Sequence, residues 1–367
     1  MKILIVGDGN HPLITNLCKH LKNFEQTIVI DLLSYTIVSD DNKSIFNNIV
    51  AVLPKFKHKK IGGKIFNNAY WVLKCISLGN YDVINIHFIN YLSLPLLLKR
   101  NKTRIISTVW GTDFYKSRSN SIFNFILKKS SLITTSSHAT LNNIKRALSV
   151  DNITVANFGL EPITHIKQLL KEDMKQKIKS QLGIKEDELT ISVGYNASRK
   201  HRHLEIVNII ENIGLNTPYK YFVPLMYGDS KTYIDELKAN LAPFNSKIIY
   251  FDRYMDALEI AKLRVATDIF INLRDTDQLS GAICEHLYAG NIVITGSWLP
   301  YNDLDDREVF YYKLEEFNQL GRVLKSNVNS KNDIIPNLKL NSSKIEDFTL
   351  WETNIKTWFK LYENRSN

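Results

Sequence analysis

The sequence predicts an α/β protein of two doubly wound domains, each with a parallel sheet wrapped by helices. The chain has 367 residues, which is too long for one ordinary core and suits two domains of roughly 150 residues each. Short apolar β-rich runs alternate with amphipathic helical segments twice along it, and a strand–helix–strand order implies a parallel sheet. Hydrophobic residues make up 44% of the chain, enough to fill two cores.

The first half opens with an apolar strand, Lys2 to Val6, followed by a tight turn at Gly7-Asp8-Gly9. Later strands are predicted at Thr27–Ile30, Tyr81–Phe88, Arg104–Val109, Ser131–Thr134 and Ile153–Val155. The domain boundary is expected near Asn157 to Pro162. The predicted domains are therefore 1–160 and 161–347.

The second half repeats the alternation. Its strands are predicted at Leu189–Val193, Tyr219–Pro224, Lys247–Phe251, Ile269–Leu273 and Ile292–Thr295. Its helices are predicted at Lys167–Leu182, His203–Ile213, Thr232–Leu241, Met255–Arg264 and Gly281–Ala289. Asn337 to Asp347 is interpreted as a polar loop. The tail, 348–367, carries large apolar residues at helical spacing and is predicted to pack back on the first domain.

The charge balance predicts an anionic partner. The net charge is +10, with a pI near 9.2, which suits nucleotide phosphates, nucleic acid or an acidic membrane surface. The start of the chain does not resemble a signal peptide, and the apolar segment Ile84 to Leu98 is interrupted by polar residues and a proline. The three cysteines are scattered without metal-ligand spacing, so we expect a reduced, cytoplasmic setting.

The first glycine turn is a weak dinucleotide signal. Gly7-Asp8-Gly9 lacks the third glycine of that fingerprint, and the nearest acidic candidate on the next strand is Asp31. One interpretation is a turn that needs positive φ. The other is a ligand-facing turn at the carboxyl end of a parallel sheet, with Gly9 as a nucleotide-binding candidate.

A more specific signal is the cationic run that follows Gly194. Asn196, Ser198, Arg199 and Lys200 stand at the start of a predicted helix, where free amides and the helix dipole attract anions. Cations stacked at that end are unfavourable unless an anion sits there. We interpret the run as a pyrophosphate clamp, with a solvated basic face as the alternative.

The stretch DQLSGAICEHLYAG repeats this arrangement after another predicted strand. Gly281 is expected to let a phosphate or sugar approach the backbone, and Ser280 begins the helix. Glu285, about one turn into the helix, is placed to accept hydrogen bonds from a ribose diol. Asp277 and Gln278 precede the turn. In isolation an exposed helical glutamate usually only improves solubility.

Two strand ends of the first domain also carry candidates. His87 ends one predicted strand, and Asp113 follows the next within Ser107–Tyr115. Both are expected on the carboxyl edge that would face the second domain. A single histidine is more often structural than functional.

The segment Lys55 to Lys60 with Lys64, followed by Ile65, Phe66, Trp71 and Val72, interleaves cations with bulky apolar residues. The segment fits a solvated loop, a nucleic-acid patch or an anionic membrane contact. No nucleic-acid module accompanies it, so we favour a membrane contact.

Taken together, these motifs resemble the GT-B glycosyltransferases, which have two Rossmann-like domains with a cleft between them. The large retaining family of that fold carries two glutamates with seven residues between them, and Asp277 and Glu285 have this spacing. A closer similarity is to bacterial 4-acetamido-4,6-dideoxygalactose (Fuc4NAc) transferases. The stretches that carry it are Val109–Tyr115, Gly194–Glu205, Val223–Tyr227, Tyr233–Glu236 and Gln278–Gly290.

The resemblance implies a membrane-peripheral enzyme on the inner face of the cell membrane, which transfers a sugar from a UDP- or dTDP-sugar to a lipid-linked or surface-polysaccharide glycan. Arg199 and Lys200 would neutralise the diphosphate, assisted by amides after Ser280. Glu285 would hold the ribose, and Asp277 with Gln278 would face the donor sugar.

Asp113 or His87 would orient the acceptor hydroxyl, or act as the base in an inverting reaction. No cofactor or metal is expected. Two alternatives stay open: a nucleotide-sugar 2-epimerase of the same fold, and a basic nucleic-acid-binding protein.

Overall fold

The computed structural model describes residues 1–53, 61–117, 120–329 and 331–364, and leaves out the side chains of 61–64, 112, 327–329 and 331–333. The chain divides into two compact units. Unit 1 comprises Met1–Gly159 with Trp351–Asn367, and unit 2 comprises Leu160–Leu350. Each unit holds a parallel sheet with helices, so the predicted class of two doubly wound domains is confirmed.

The sheet of unit 1 has the order β3-β2-β1-β4-β5-β6-β7 within the described residues, and all its neighbours pair in parallel. Its strands are β1 (Lys2–Gly7), β2 (Val29–Ser34), β3 (Asn48–Val52), β4 (Val83–His87), β5 (Arg104–Val109), β6 (Leu132–Thr135) and β7 (Ile153–Val155). The strand order reverses direction between β1 and β4.

The helices of unit 1 connect these strands. They are α1 (Pro12–Phe24), α2 (Asp40–Lys43), α3 (Ile61–Ile76), a 3₁₀ helix at Tyr91–Lys99, α4 (Thr112–Ser117), α5 (Ser121–Lys129) and α6 (His138–Leu148). Helix α3, the 3₁₀ helix and α5 bury residues in one shared apolar cluster with β4 and β5, so they cover the same face of the sheet.

The sheet of unit 2 has the order β10-β9-β8-β11-β12-β13 and is also parallel. Its strands are β8 (Leu189–Val193), β9 (Tyr219–Pro224), β10 (Ile248–Phe251), β11 (Ile269–Asn272), β12 (Ile292–Gly296) and β13 (Tyr312–Leu314). The order reverses between β8 and β11.

The helices of unit 2 lie on both faces of its sheet. They are α7 (Glu161–Lys171), α8 (Lys175–Gln181), α9 (His203–Ile213), α10 (Lys231–Leu241), α11 (Ala257–Ala266), α12 (Gly281–Tyr288), α13 (Asn302–Asp305), α14 (Leu320–Asn329) and α15 (Lys331–Thr349), with 3₁₀ turns at Arg199–His201, Ala242–Lys247 and Phe317–Gln319. No helix within the described ranges is long and apolar enough to cross a membrane.

The last helix, α16 (Trp351–Glu363), packs against α1 of unit 1. The Trp358 indole donates a hydrogen bond to the carbonyl of Asn157 at 2.8 Å, and Asn85 donates one to the Tyr362 hydroxyl at 2.7 Å. The apolar spacing of the tail therefore corresponds to a docked helix.

Three local predictions were wrong. Edge strands β3 and β13 were missed. Strand β13 has only three residues, and β3, although it includes the apolar run Ile49–Val52, is mostly half-buried at the edge of its sheet. The segment 337–347 was interpreted as a loop but belongs to α15. Its buried positions Leu338, Asn341 and Ile345 follow helical spacing, and Asn341 conceals that pattern because it is polar. Asn341 is buried because its amide exchanges two 2.8 Å hydrogen bonds with the backbone of Phe310.

The helix predicted at Lys167–Leu182 is divided into α7 and α8. The break lies at Asp173, whose φ of 49° is left-handed and incompatible with a continuous helix.

Candidate functional site

Open α/β sheets bind ligands at the carboxyl edge, where the strand order reverses. This point lies between β1 and β4 in unit 1, and between β8 and β11 in unit 2. The loops after these strands hold most of the residues predicted from the sequence. The unit 2 edge is lined by charged and phenolic side chains, whereas the unit 1 edge is lined mainly by aromatic rings.

The loop after β8 is shaped by a glycine. Gly194 has a φ of 66°, and a Cβ there would lie 2.7 Å from the buried ring of His201, so no other residue fits without strain. Beyond it, Asn196 accepts a hydrogen bond from the Ser198 amide at 2.9 Å, and Ser198 accepts one from the Lys200 amide at 3.4 Å. The side chains of Asn196 and Ser198, predicted to bind nucleotide, thus bond to the loop itself.

The two predicted diphosphate ligands diverge. The Arg199 guanidinium pairs with Glu236 at 3.0 Å and lies over the Tyr233 ring, 4.2 Å from its centroid. The Lys200 ammonium instead extends to the loop after β11, where it donates to the Thr276 hydroxyl at 3.3 Å. The structure therefore does not bring Arg199 and Lys200 together as one clamp.

Asp277 lies at the centre of a buried hydrogen-bond network. Its Oδ1 accepts from the Tyr195 hydroxyl at 3.0 Å and from the Gln278 amide at 3.0 Å. Its Oδ2 accepts from the Tyr301 hydroxyl at 2.9 Å and from Asn272 at 3.2 Å. Since both oxygens are engaged and the side chain is 7% exposed, Asp277 does not present an open carboxylate to a donor sugar as predicted. It positions its neighbours instead.

Arg274 is a cation that the sequence analysis missed. Its Nη1 lies 3.8 Å from Asp277 and donates to the Tyr195 hydroxyl, while its carbonyl accepts from the Trp298 indole at 2.7 Å. Burial raises the pKa of Asp277, and the Arg274 charge opposes that rise. Arg274 belongs to the loop after β11, and Lys200 and Arg202 reach that loop at Thr276 and Asp275, so cations converge at this edge.

Glu285 is held by a second missed cation, Arg264 of α11. Arg264 Nε donates to Glu285 Oε2 at 3.0 Å, and their side chains are 3% and 9% exposed. Oε1 has no hydrogen-bond partner within the described residues. Glu285 is therefore not a surface glutamate. Its ribose-binding role stays a prediction, with Oε1 as the oxygen left for it.

The amino end of α12 is closely packed at Gly281. A Cβ there would lie 2.9 Å from the Leu160 side chain, so the space beside this glycine is filled by protein. Packing against Leu160 therefore favours glycine here, and the approach of a ligand to Gly281 stays a prediction. Ser280 precedes the helix, and its hydroxyl has no partner within the described residues.

In unit 1, Gly9 is also a packing glycine. A Cβ on it would lie 2.6 Å from Leu32 and 2.8 Å from Val38, and its amide donates to the Ser34 hydroxyl at 3.3 Å. Neither Gly7 nor Gly9 is among the positive-φ glycines. The interpretation of a turn that needs positive φ was therefore wrong, and close packing accounts for Gly9 without a nucleotide.

Asp31 is buried within β2 and accepts hydrogen bonds from the Tyr81 hydroxyl and from Asn48, both at 2.9 Å. It stabilises the sheet interior and is not free at a strand end. The weak dinucleotide signal has no support at this position.

An aromatic stack covers the carboxyl edge of unit 1. Trp110 lies between Phe88 and Phe158, with ring centroids 4.7 and 5.0 Å away and interplanar angles of 8° and 18°. His11 meets the Trp110 ring edge-on at 4.8 Å. Phe88 has a φ of 55°, an uncommon value for a bulky residue, so the backbone is strained where the stack begins.

His87 lies beneath this stack and is fully buried. Neither ring nitrogen has a hydrogen-bond partner within the described residues. Burial, with a smaller contribution from nearby His11, lowers the pKa of His87 to about 3. Because the whole His87 residue is buried while Asp113 is half-buried, the structure favours Asp113 of these two candidates, and the role predicted for His87 stays a prediction.

Asp113 has the properties of a proton acceptor. Its Oδ1 accepts hydrogen bonds from the amides of Trp110 and Phe114, each at 2.9 Å. Its Oδ2 is buried with no partner within the described residues. Burial raises the pKa of Asp113 to about 6, although the backbone amides oppose this. A carboxylate that titrates near neutrality is suited to general base catalysis.

The predicted membrane segment falls largely outside the described residues, since 55–60 and the side chains of 61–64 are not described. Trp71, grouped with that segment, is buried, and its indole donates to the Leu92 carbonyl at 2.9 Å. Trp71 therefore belongs to the core, and the prediction that it contacts a membrane was wrong.

Within the described ranges, no three His, Cys, Asp or Glu side chains are grouped to hold a metal ion. The expectation that no cofactor is needed stays a prediction.

Comparison with known proteins shows which family model and which solved structures the chain resembles. Residues 2–137 match the family described as "Glycosyl transferase 4-like". The match lies within unit 1 and covers less than half of the chain. None of the curated proteins compared with the chain has a significant sequence match.

Solved structures match over nearly the whole chain. HepE of Anabaena in complex with UDP-glucose has 12% identity and a TM-score of 0.71, with 98% of this chain and 99% of HepE covered. A glycosyltransferase from Rickettsia africae has 12% identity and a TM-score of 0.73, with 99% and 97% covered. WaaG, a glycosyltransferase involved in lipopolysaccharide biosynthesis, has 12% identity and a TM-score of 0.67, with 97% and 99% covered. At such low identity the likeness concerns the fold, and this protein has the GT-B fold of two Rossmann-like domains.

Proposed function

We propose that this protein is a glycosyltransferase that moves a sugar from a nucleoside-diphosphate donor to a glycan acceptor. The observation that carries the proposal is the carboxyl edge of unit 2. There Lys200 and Arg274 reach one loop beside the start of α12, next to the Asp277 network. The GT-B fold and the family match of residues 2–137 support it.

The donor chemistry follows from these charges. Breaking the bond between the sugar and the diphosphate leaves negative charge on the departing phosphate oxygens. Lys200 and Arg274 would stabilise that charge, and free amides at the start of α12 would add donors. Glu285 Oε1 would accept a hydrogen bond from the ribose. Because Tyr195 and Tyr301 lock Asp277, this edge is organised before the donor arrives.

Asp113 would act on the acceptor. In an inverting transfer its carboxylate takes the proton of the acceptor hydroxyl while the acceptor oxygen bonds to the sugar carbon and the nucleoside diphosphate departs. The unpartnered Oδ2 is the oxygen suited to this step.

For the acceptor, we propose a lipid-linked or surface-polysaccharide glycan at the inner face of an anionic membrane. The net charge of +10 and the fold shared with WaaG support this class. For the donor, UDP- and dTDP-sugars come first. These include hexoses and acetamido sugars such as the Fuc4NAc donor, because HepE binds UDP-glucose and the sequence resembles Fuc4NAc transferases.

The test is a calorimetric and transfer panel of UDP, dTDP, GDP and their sugars. A matched nucleoside diphosphate should stabilise the protein, by about 2.7 kcal/mol at a hundredfold excess over its Kd. Isomerisation of a nucleotide sugar without acceptor would favour the 2-epimerase instead. Stabilisation by oligonucleotides alone would overturn the proposal.

The ribose contact has its own test. Glu285→Gln keeps the side-chain shape, and it should weaken binding of the ribonucleotide but not of its 2′,3′-dideoxy analogue. Equal weakening for both nucleotides would show that Glu285 does not contact the ribose.

A further inference from the structure

Helix α3 is apolar on both its inner and outer sides. Trp71 and Cys75 on the inner side are fully buried in the unit 1 core. Successive residues of an α-helix are about 100° apart around its axis. On the outer side of α3, an arc about 120° wide carries no polar side chain among its described residues. That arc consists of Ile65, Phe66, Ala69, Val72, Leu73 and Ile76. Its five large side chains are between 36% and 66% exposed.

An amphipathic surface helix normally turns its apolar stripe to the core and its polar residues to solvent. In α3 the polar residues Asn67, Asn68 and Lys74 lie between the two apolar sides instead. Here the outer arc faces solvent over a length of about 17 Å from Ile65 to Ile76, at 1.5 Å per residue. Single exposed apolar residues are common, but a continuous row of this size marks an interaction surface.

The neighbouring elements extend the row. The 3₁₀ helix packs against both α3 and α5, and the three share one core cluster on the same face of the sheet. Leu94 and Leu98 of the 3₁₀ helix are exposed, as are Ile122 and Phe125 of α5. We call these four residues and the outer arc of α3 the apolar face.

The stretch of sequence that contains the apolar face is strongly basic. Residues 55–146 contain sixteen Lys and Arg but only two acidic residues, Asp82 and Asp113, for a net charge of +14. Since the whole chain carries +10, the remainder carries −4. Arg100 and Lys102 follow the 3₁₀ helix. Neither this helix nor α3 nor α5 contains an Asp or a Glu. The excess positive charge of the protein is therefore concentrated in the stretch that builds this face.

We propose that the apolar face lies on an anionic lipid bilayer, with its aliphatic and aromatic side chains in the headgroup region and the flanking lysines and arginines against lipid phosphates. Interfacial helices with an apolar side enter the boundary between headgroups and acyl chains by about 5–10 Å, and basic residues add electrostatic attraction. The excess of positive charge in this stretch favours an anionic bilayer over a protein partner.

This assignment deepens the proposed function, on which it rests for a membrane-bound acceptor. It keeps Ile65, Phe66 and Val72 of the contact predicted from the sequence, adds the exposed residues of the 3₁₀ helix and α5, and excludes Trp71.

The test is flotation of the full chain with vesicles of phosphatidylcholine alone or mixed with phosphatidylglycerol. The native protein should float with the mixed vesicles. Phe66→Asp with Leu73→Asp should weaken that binding by about tenfold or more, because it places charge in the apolar boundary. Lys128→Glu with Lys129→Glu should weaken it most at low salt.

Leu340→Asp is the matched control, since Leu340 is 54% exposed on α15 of unit 2. It should bind vesicles as the native chain does. Circular dichroism checks that every variant is folded. Vesicle binding that is absent from the native chain, or unchanged in Phe66→Asp/Leu73→Asp, overturns the proposal. So does a concentration-dependent dimer that this double variant abolishes.

Transfer to a water-soluble glycan acceptor separates the two proposals. Native protein and the double variant should transfer at equal rates to that acceptor. If the double variant no longer floats and neither protein transfers sugar, the bilayer proposal is supported and the glycosyltransferase proposal is contradicted.

Discussion

The carboxyl edges of the two sheets occupy equivalent places in similar folds, yet their carboxylates have different partners. In unit 2 the buried carboxylates are held by side chains, since Asp277 is bonded to two tyrosines and Glu285 to Arg264. In unit 1 Asp113 is held through Oδ1 by backbone amides, and its Oδ2 has no partner within the described residues. Unpartnered histidine nitrogens do not distinguish the edges, because His87 in unit 1 and His201 in unit 2 both have them.

One fold thus supports two kinds of chemistry. Carboxylates fixed by several side-chain partners hold the surrounding side chains in place, which suits the binding of an anion that gains charge during reaction. Burial raises the pKa of Asp113 to about 6, and its unpaired Oδ2 is suited to proton transfer near neutral pH. Substitutions at each edge test this contrast.

The largest effect is expected at Asp113. Asp113→Asn removes the proposed base and should lower kcat/KM by about 10²- to 10⁴-fold with little change in donor affinity. A base acts when deprotonated, and burial raises the pKa of Asp113 to about 6. Native activity should therefore be full above pH 6 and fall as the pH drops through that value. A pH–rate profile of both proteins measures this, and an unchanged acidic limb in the variant excludes Asp113 as the base.

The next effect concerns the stability of unit 2. Glu285→Ala leaves Arg264 buried without its partner and should lower the free energy of unfolding by about 3–5 kcal/mol. Arg264→Met combined with Glu285→Leu removes both charges and should recover most of that loss. Urea denaturation measures each value. A loss below about 1 kcal/mol for Glu285→Ala would mean that the pair is solvated like a surface salt bridge.

A smaller effect is expected for donor binding. Lys200→Ala should weaken a nucleoside diphosphate by about ten- to a hundredfold, the equivalent of a charge-assisted hydrogen bond of roughly 1.5–3 kcal/mol. Binding of the nucleoside without phosphate should not change. Calorimetry with both ligands tests this, and equal weakening of the two would place Lys200 away from the phosphates.

The smallest effect is expected at Arg199. Its ion pair with Glu236 is exposed on both sides, and such pairs contribute about 0–1 kcal/mol. Arg199→Ala should therefore change diphosphate affinity by less than about threefold and stability by about as little. If calorimetry instead finds a loss of diphosphate affinity as large as for Lys200→Ala, Arg199 leaves Glu236 when the donor binds. Arg199 and Lys200 would then bind the diphosphate together, as predicted from the sequence.

Much of the fold could be predicted because its signals are local. Apolar runs such as those of β1, β11 and β12 are continuous and end at recognisable turns. The predictions failed where tertiary contacts replaced the local signal. Asn341 is buried by its bonds to Phe310, which made helix α15 resemble a loop. The candidate site followed the same rule: strand ends were located, but the partners of their side chains were not.

The ends of the strands, and hence the loops that meet at each carboxyl edge, can be predicted from local sequence, since periodicity and turn residues act over a few positions. The pairing of charges depends on tertiary structure. Arg264 is 21 residues from Glu285, and Tyr195 is 82 residues from Asp277. No local pattern encodes such pairs, because they form when the packing of helices and strands brings distant segments together and burial makes each charge depend on its partner.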